Sequence, residues 1–261
     1  MTIVLTSLCV GGLVSFQPKS IISLGTENLE RVSAPGVAES YREAKRWLFE
    51  IVHADQRTTL YCGCRFDPAK RVEPGTCGYT AIRDLERAQR AEAEHVIPAS
   101  WIGQGRACWT GKICRDAAGR GFGGRDCCEA IDPAYRRAAF DLHNLWPAQG
   151  DVNARRSNYR FGEIPGERRV FGPCDLEIDE RRRMIEPRPE IRGDIARIGR
   201  YMERVHGIRL SRHHQRLFEA WDRADPPDEA ERARNARIRA LQGGGNPFID
   251  QRDALALAAP G

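Results

Sequence analysis

Glu94 and His95 are adjacent residues whose side chains suit metal-assisted hydrolysis of a phosphodiester bond. That reaction needs an activated water, a cation on the scissile phosphate and stabilisation of the leaving oxygen. A carboxylate is a preferred ligand of Mg2+, and a neutral imidazole, with an ordinary pKa of about 6.5, is a suitable base near neutral pH. In an extended segment, successive side chains point to opposite sides. The pair therefore predicts that Glu94 binds a metal ion while His95 activates a water.

A segment rich in amide side chains, residues 141–158, strengthens this interpretation. An isolated Glu-His pair is weak support, because a surface glutamate next to a hydrogen-bonded histidine is common. Here, however, His143, Asn144, Asn153 and Asn158 lie within one short stretch, and asparagine is poor in helix interiors and seldom buried without a partner. This density predicts specific hydrogen-bonding or ligand roles, although capping of turns is the alternative for Asn144 and Asn158.

Short elements must position these two segments. Glu92–Ile97 is predicted to be an extended segment that ends at Pro98, and a short helix is predicted to begin near Gly150-Asp151. Thr58–Phe66 alternates apolar and polar residues and is predicted to be a strand. The remaining predictions from periodicity are an amphipathic helix over Glu39–Val52, a helix over Pro133–Leu142, a strand pair formed by Val170–Ile178 and Met184–Ile185, and helices over Arg192–His206, Arg212–Ala224 and Glu229–Gln242.

The chain contains nine cysteines. Cys9 lies in the apolar stretch Ile3–Phe16, which resembles a weak export signal although no lysine or arginine precedes it. Without Cys9 eight cysteines remain, and an even number in an exported chain favours disulfides. A structural zinc site is the alternative, but Cys62-Gly63-Cys64 lacks the usual two-residue spacing and no matching histidine pair follows. Which cysteines pair cannot be read from these positions.

Composition bounds the class of protein. With 261 residues, of which 41% are hydrophobic, the chain can bury one sizeable core. The formal net charge is +5, and most basic residues are arginine, which favours bidentate contacts with phosphate and carboxylate. This composition permits a polyanionic partner, while solvated helix faces are the other explanation. Beyond the N-terminal stretch, no segment approaches the roughly 20 apolar residues needed to cross a membrane.

Two long motifs resemble the bacterial endonuclease I family, a group of secreted or periplasmic non-specific nucleases of the ββα-metal superfamily. The first is Glu94-His95-Val96-Ile97-Pro98-Ala99, and the second is residues 141–158, DLHNLWPAQGDVNARRSN. The shorter matches are Tyr61-Cys62-Gly63-Cys64, Cys77-Gly78-Tyr79, Gly123-Gly124-Arg125, Asp132-Pro133-x-Tyr135-Arg136 and Gln242-Gly243-x-x-Asn246-Pro247-Phe248. The similarity extends from about Ala38 to Phe248, and the motifs occur in the family's order.

The resemblance implies a mixed α+β fold with a ββα-metal (His-Me finger) core, flanked by helices and stabilised by disulfides. Residues 39–250 would form a single nuclease domain, preceded by a leader and spacer over residues 1–38 and followed by a flexible tail over residues 251–261. The implied activity is Mg2+-dependent hydrolysis of DNA, and of RNA as a second candidate, to give 5′-phosphate ends. Such a chain would be periplasmic or secreted and monomeric, and would bind phosphates without sequence specificity and without inserting into a membrane.

The family's functional residues correspond to positions of this sequence. Its metal ligands correspond to Glu94 and Asn153, which would hold Mg2+ or, alternatively, Mn2+ or Ca2+. Its general base corresponds to His95, and the arginine that stabilises the cleaved phosphate corresponds to Arg125. The further residues expected to contribute are His143 and Asn144 in supporting roles, and Arg155, Arg156 and Arg160 as phosphate contacts.

The sequence departs from the family pattern in three places. Ala93 stands where an aromatic residue often precedes the Glu-His pair, and the family's usual cysteines in the last helix and at the C-terminus are missing. The loop over residues 101–128 is longer and contains Cys114 and Cys127, which are predicted to form an additional disulfide.

Two alternatives belong to other functional classes. A catalytically inactive relative that only binds nucleic acid or an inhibitor has no chemical reason to retain Glu94, His95, Arg125 and Asn153 together. A disulfide-rich structural or adhesion module leaves the amide-rich segment unexplained. An active nuclease is therefore the favoured prediction.

Overall fold

The structure is a computed structural model that describes residues 36–166 and 168–251. The predicted leader and tail lie outside these residues, apart from the few positions at their inner edges. The described chain contains both helices and strands, in agreement with the expected mixed α+β class. No helix in the described ranges is both long enough and apolar enough to span a bilayer.

The helices and strands are mostly short until the C-terminal third. Within the described ranges, the labelled helices are α1 (Tyr41–Trp47), α2 (Leu85–Ala88), α3 (Ala99–Gly103), α4 (Ala107–Thr110), α5 (Arg125–Ile131), α6 (Pro133–Ala139), α7 (Gly150–Arg156), α8 (Arg192–His206), α9 (Arg212–Ala224) and α10 (Glu229–Gln242). The strands are β1 (Ala91–His95), β2 (Cys114–Arg115), β3 (Gly121–Phe122), β4 (Leu145–Gln149), β5 (Arg160–Phe161), β6 (Arg169–Phe171), β7 (Cys174–Asp179) and β8 (Met184–Pro187). They form the antiparallel pairs β1–β4 and β2–β3 and a mixed sheet of order β5–β8–β7–β6.

The Glu-His pair lies in an antiparallel strand pair that is followed by a helix. β1 pairs with β4 along its whole length, and α7 begins at the next residue and contacts both strands. The predicted extended segment and the predicted short helix are therefore confirmed. A side chain at Gly150 has no space, because its Cβ would lie 2.5 Å from the carbonyl oxygen of Arg87 and 2.7 Å from Oε1 of Glu92. Glycine thus allows α7 to begin directly against β1.

The predicted N-terminal helix over residues 39–52 is confirmed, with one change of geometry. Ser40 caps α1, because its Oγ accepts a hydrogen bond from the amide of Glu43 (3.2 Å). After Trp47 the helix continues as a π-helical turn over Leu48–Val52. Ala44, Trp47, Leu48, Phe49 and Val52 are buried, whereas Ile51 is 36% exposed. Most of the apolar positions therefore belong to the face that packs on the core.

The predicted strand over Thr58–Phe66 is wrong. The segment makes only isolated bridges and turns back at Gly63, whose φ of +67° is a conformation that glycine adopts readily. Cys62 and Cys64 are buried because each enters a disulfide, and Tyr61, which precedes Cys62, is buried as well. The alternation of apolar residues therefore reflects a buried, cross-linked turn rather than a pleated strand.

Four disulfides cross-link the described chain, as the even cysteine count suggested. They are Cys62–Cys174, Cys64–Cys77, Cys108–Cys128 and Cys114–Cys127. The predicted additional bridge between Cys114 and Cys127 is confirmed, and the zinc alternative is wrong because disulfides occupy all eight cysteines. The last two bridges anchor the long segment around α4 and the β2–β3 hairpin, which has little regular structure of its own.

The three C-terminal helices have the bounds predicted from the sequence. α9 and α10 begin at the capping side chains of Ser211 and Asp228. Arg197 on α8 is fully buried and joins the three helices, because it donates to Glu231 on α10 (Nε–Oε1 2.8 Å) and to Asp222 on α9 (Nη1–Oδ1 3.1 Å). A buried cation satisfied in this way fixes the packing of the helices.

The buried carboxylate of Asp141 connects this helical part to the segment between α6 and β4. It accepts hydrogen bonds from the Tyr201 hydroxyl (2.8 Å), Nε2 of His206 (2.7 Å) and Nε2 of Gln242 (2.9 Å). Burial alone would raise the pKa of Asp141, but the hydrogen bond from His206 and the charges of the nearby histidines lower it to about 2. The folded chain therefore favours the ionised form of this side chain.

We expect Asp141→Asn to remove a pH-dependent part of the stability. A carboxylate whose pKa is lowered on folding contributes stability that is present above its unfolded pKa, about 3.9, and is lost as the pH falls through its folded value. The difference in unfolding free energy between the wild type and D141N should therefore shrink by roughly 2 kcal/mol between about pH 5 and pH 2. Urea denaturation with intact disulfides measures this difference, and a constant value over that range would contradict the role of Asp141.

Candidate active site

Glu94, His95, Arg125 and Asn153, the residues with the strongest predicted roles, line one cavity of about 960 Å³. Its walls come from α1 and the π-helical turn after it, β1, α7 and the first residue of α5, together with residues of α2, α3 and α4. The charged residues of the walls are mostly basic and comprise Arg42, Lys45, Arg46, Lys70, Arg87, Arg125 and Arg156, with Glu50, Glu92 and Glu94 as the acidic members. The cavity therefore combines a cationic surface with a small set of carboxylate, amide and imidazole groups.

Glu94 is a buried carboxylate on the side of β1 that faces α7. Its Oε1 accepts a hydrogen bond from the Tyr61 hydroxyl (2.8 Å) and lies 3.3 Å from Nε of Arg156. Burial raises the pKa of Glu94, and the charge of Arg156 and the hydrogen bond from Tyr61 offset that rise only in part. A further positive charge beside this carboxylate would stabilise its ionised form.

His95 lies on the opposite side of β1, and two contacts fix its ring. Nε2 is 2.8 Å from the carbonyl oxygen of Ala139, and the ring stacks on Tyr41 with 5.4 Å between the ring centroids. Because a carbonyl oxygen only accepts hydrogen bonds, Nε2 carries the proton and the lone pair of the neutral ring is on Nδ1. Burial and the charge of Arg125 lower the pKa of His95 to about 4. The imidazole is therefore neutral at neutral pH and able to accept a proton.

Asn153 presents an amide from the face of α7 that packs on β1. Its Nδ2 donates to Oε2 of Glu92 (3.1 Å), which leaves Oδ1 to serve as an acceptor. Asn153 and Arg156 are three residues apart on one helix, so their side chains lie on the same face. This face therefore carries both the amide and the guanidinium that contacts Glu94.

Arg125 is the first residue of α5, and its side chain is exposed. Gly124 before it has a φ of +86°, a conformation that glycine adopts without steric cost, so the paired glycines turn the chain into the helix at this point. The charge of Arg125 is one cause of the lowered pKa of His95, which indicates that the guanidinium lies near the imidazole.

Glu94 and Asn153 supply a donor set that suits a hard divalent cation. Within residues 36–166 and 168–251, no group of three or more histidine, cysteine, aspartate or glutamate side chains could hold a metal ion. A site built from one carboxylate and one amide oxygen differs from such a cluster. Mg2+ keeps several waters and takes only a few protein oxygens, so the two residues fit this ion.

Arg156 and Asn144 hold the chain that follows the Glu-His pair. Arg156, expected to contact phosphate, is only 1% exposed and donates to the carbonyl oxygens of His95 (3.2 Å) and Val96. Asn144 accepts a hydrogen bond from the amide of Ile97 (2.7 Å) and donates to its carbonyl oxygen (3.0 Å). The guanidinium of Arg156 is thus paired with protein groups. In this position Arg156 supports the site instead of presenting a free charge to a phosphate.

Three further predicted residues lie outside this cavity. Arg155 donates to Glu180 (Nη2–Oε1 2.7 Å) and lines a separate cavity of about 660 Å³, because adjacent positions on a helix point in different directions. Arg160 is exposed on β5. His143 is buried, and its ring packs against Tyr201 with 4.4 Å between the centroids. His143 therefore contributes to the packing of the C-terminal helices.

The contribution of two tyrosines and a row of basic residues to the site was not predicted from the sequence. Tyr61 and Tyr41 contact the Glu-His pair, and no local pattern connects either residue to it. Arg42, Lys45 and Arg46 are exposed on α1 and line the cavity. Their spacing of three and four residues places them on one helix face. The sequence therefore indicated a basic face on the polar side of α1, but the helix was predicted from its apolar positions alone.

The sequence model of the endonuclease I family matches residues 34–253 of this chain. An extracellular deoxyribonuclease of Aeromonas hydrophila is 38% identical over 224 residues, which cover 84% of this chain and 93% of that protein. A periplasmic deoxyribonuclease of the same organism is 37% identical over 238 residues, covering 88% of this chain and 94% of the relative. Endonuclease-1 of Buchnera aphidicola is 34% identical over 214 residues, covering 81% and 80% of the two chains.

We expect Arg156→Leu to destabilise the folded chain far more than Arg155→Leu. The first change leaves the Glu94 carboxylate buried beside an apolar side chain, and removing one partner of a buried ion pair costs about 3–5 kcal/mol. The partner of Arg155 is Glu180, whose side chain is 51% exposed, so that change should cost about 1 kcal/mol or less. Urea denaturation of the two variants provides the comparison, and equal losses would mean that Arg156 does not hold Glu94.

Proposed function

The chain belongs to the endonuclease I family, and from this we propose that it is a Mg2+-dependent endonuclease that cleaves DNA without sequence specificity and leaves 5′-phosphate ends. The observation that carries the proposal is the shared cavity of a fixed imidazole, a buried carboxylate, an amide and an arginine. In this proposal β1, β4 and α7 are the ββα-metal core, since the base and both metal ligands belong to them.

Glu94 and Asn153 are the residues that would hold the cation, through carboxylate and amide oxygens. Bound Mg2+ would neutralise charge on the phosphate and stabilise the leaving oxygen. Tyr61 and Arg156 keep the carboxylate of Glu94 in one position, so the site is preorganised on the protein side. Mn2+ and Ca2+ also accept oxygen ligands and are alternative cations.

His95 is the general base of the proposed reaction. Its Nδ1 takes a proton from the attacking water, while the proton on Nε2 stays bonded to the carbonyl oxygen of Ala139. That hydrogen bond and the stacked ring of Tyr41 prevent the imidazole from rotating away from the water. The lowered pKa of His95 keeps the ring unprotonated before the reaction. Arg125, exposed at the cavity, stabilises negative charge on the phosphate as it is cleaved.

Nucleic acid is proposed to bind through its phosphates to the exposed basic face of α1. Arg42, Lys45 and Arg46 line the same cavity as the Glu-His pair, so a strand that follows these residues would pass the reacting groups. Phosphate contacts carry no sequence information. RNA presents the same phosphates and is the second candidate substrate.

An exported, monomeric enzyme is the form we propose. Two of the relatives carry the names extracellular and periplasmic deoxyribonuclease. Four disulfides in a chain of this size suit an oxidising compartment. Both observations agree with action in the periplasm or outside the cell.

Plasmid nicking tests the proposed activity. The purified protein with intact disulfides should convert supercoiled plasmid to nicked and linear forms in Mg2+, and EDTA should abolish this conversion. His95→Ala should lower the rate by about 100-fold or more, since a general base contributes that much, while His213→Ala, a change of an exposed histidine on α9, should leave it unchanged. Structured RNA as substrate tests the second candidate. If the wild type leaves the plasmid intact in Mg2+, the proposed function is wrong.

The salt dependence tests the basic face of α1. Arg42→Gln with Lys45→Gln should raise KM for duplex DNA with little change in kcat. The slope of the logarithm of kcat/KM against the logarithm of salt concentration should become shallower by about one per lost phosphate contact. Arg212→Gln with Arg216→Gln is the matched control, since it removes the same charge from exposed positions of α9. Equal slopes for the two double variants would place the nucleic acid elsewhere.

A further inference from the structure

Glu92 is a carboxylate of the cavity that the proposed reaction does not use. It lies two residues before Glu94 on β1, and so on the same side of the strand. Its Oε2 accepts the hydrogen bond from Nδ2 of Asn153 (3.1 Å). Glu92 is therefore in direct contact with one of the two residues assigned to the cation.

The amide of Asn153 has two different ends, and only one of them suits a cation. A half-turn about its last bond exchanges the oxygen with the NH2 group, which would direct partial positive charge at the ion. An ionised carboxylate accepts hydrogen bonds and cannot donate one. Glu92 therefore pairs only with Nδ2, and this contact selects the orientation in which Oδ1 is available.

Glu92 is itself held rigidly. Arg87 approaches it with both arms of the guanidinium, Nε to Oε1 (3.0 Å) and Nη2 to Oε2, and Nε of Arg90 donates to Oε1 (3.0 Å). Gly150, at the start of α7, leaves the space that this carboxylate fills, since a Cβ there would lie 2.7 Å from Oε1. The guanidinium groups of Arg87 and Arg90 and the close approach of the backbone at Gly150 therefore fix the Glu92 carboxylate, which orients the amide of Asn153.

We propose that Glu92 is a positioning residue that sets the orientation of the Asn153 amide and thereby the affinity of the site for a divalent cation. The inference rests on the proposed function, because the orientation matters only if Asn153 binds the cation. Glu92 does not touch the reacting atoms in this assignment. Its loss should therefore raise the metal concentration needed for half-maximal activity and leave kcat at saturating metal within about threefold of the wild type.

A double-mutant cycle on metal binding tests the proposal. Mn2+ alone is titrated into the full chain without nucleic acid, and free Mn2+ is measured by electron paramagnetic resonance. Glu92→Gln should weaken binding by about tenfold or more, because a glutamine can pair with either end of the amide. In the N153D background, the factor by which Glu92→Gln weakens Mn2+ binding should be at least about fivefold smaller. The reason is that a carboxylate at position 153 presents an oxygen in either orientation.

The controls separate orientation from charge and from folding. Glu86→Gln removes an exposed carboxylate that pairs with Arg90 (Nη1–Oε1 3.3 Å) without contacting Asn153, and it should leave Mn2+ affinity unchanged. Circular dichroism and urea denaturation establish that each variant is folded. Equal costs of Glu92→Gln in the two backgrounds, with a wild type that binds Mn2+ and nicks plasmid, would overturn the role of Glu92 alone. A wild type that binds no Mn2+ would overturn the cation site and the role of Glu92 with it.

Discussion

The negative charge buried at Glu94 is the constraint around which the site is arranged. Removing a carboxylate from water costs several kcal/mol unless partners compensate for it, and here the partners come from separate parts of the chain. Tyr61 donates from the turn before β1, and Arg156 approaches from α7. Arg156 also donates to the backbone of His95 and Val96. Displacing α7 would leave the carboxylate with the Tyr61 hydroxyl but without its positive partner, so this charge helps to hold the helix on the strand pair.

The two sides of β1 carry different chemistry as a result. Glu92 and Glu94 face α7, where arginines and the Asn153 amide surround them. On the other side, Tyr41 stacks on His95 and its hydroxyl donates to the carbonyl oxygen of Ala93 (3.2 Å). A strand makes this separation without further architecture, because successive side chains alternate. In the proposed function, the groups assigned to the cation are thereby kept apart from the group assigned to take a proton, while both line the same cavity.

Local signals predicted a large part of this arrangement, and long-range contacts account for the rest. The bounds of α8, α9 and α10 followed from apolar periodicity and capping residues, which act within one helix turn. The strand prediction over residues 58–66 was wrong because cross-linking buries side chains as effectively as pleating does. Arg155 and Arg156 look alike in the sequence, and only the rotation of α7 on β1 decides which of them is buried. The roles of Tyr41 and Tyr61 depend on contacts across dozens of residues that no local pattern records.

Disulfides at Cys62 and Cys64 hold the turn that follows Tyr61. If both bonds were reduced, the turn that supports the Glu94 carboxylate through Tyr61 would be held only by its remaining contacts. Oxidation after export would complete that support. The placement of two covalent bonds beside Tyr61 thus makes the support of this carboxylate depend on the redox state of the surroundings.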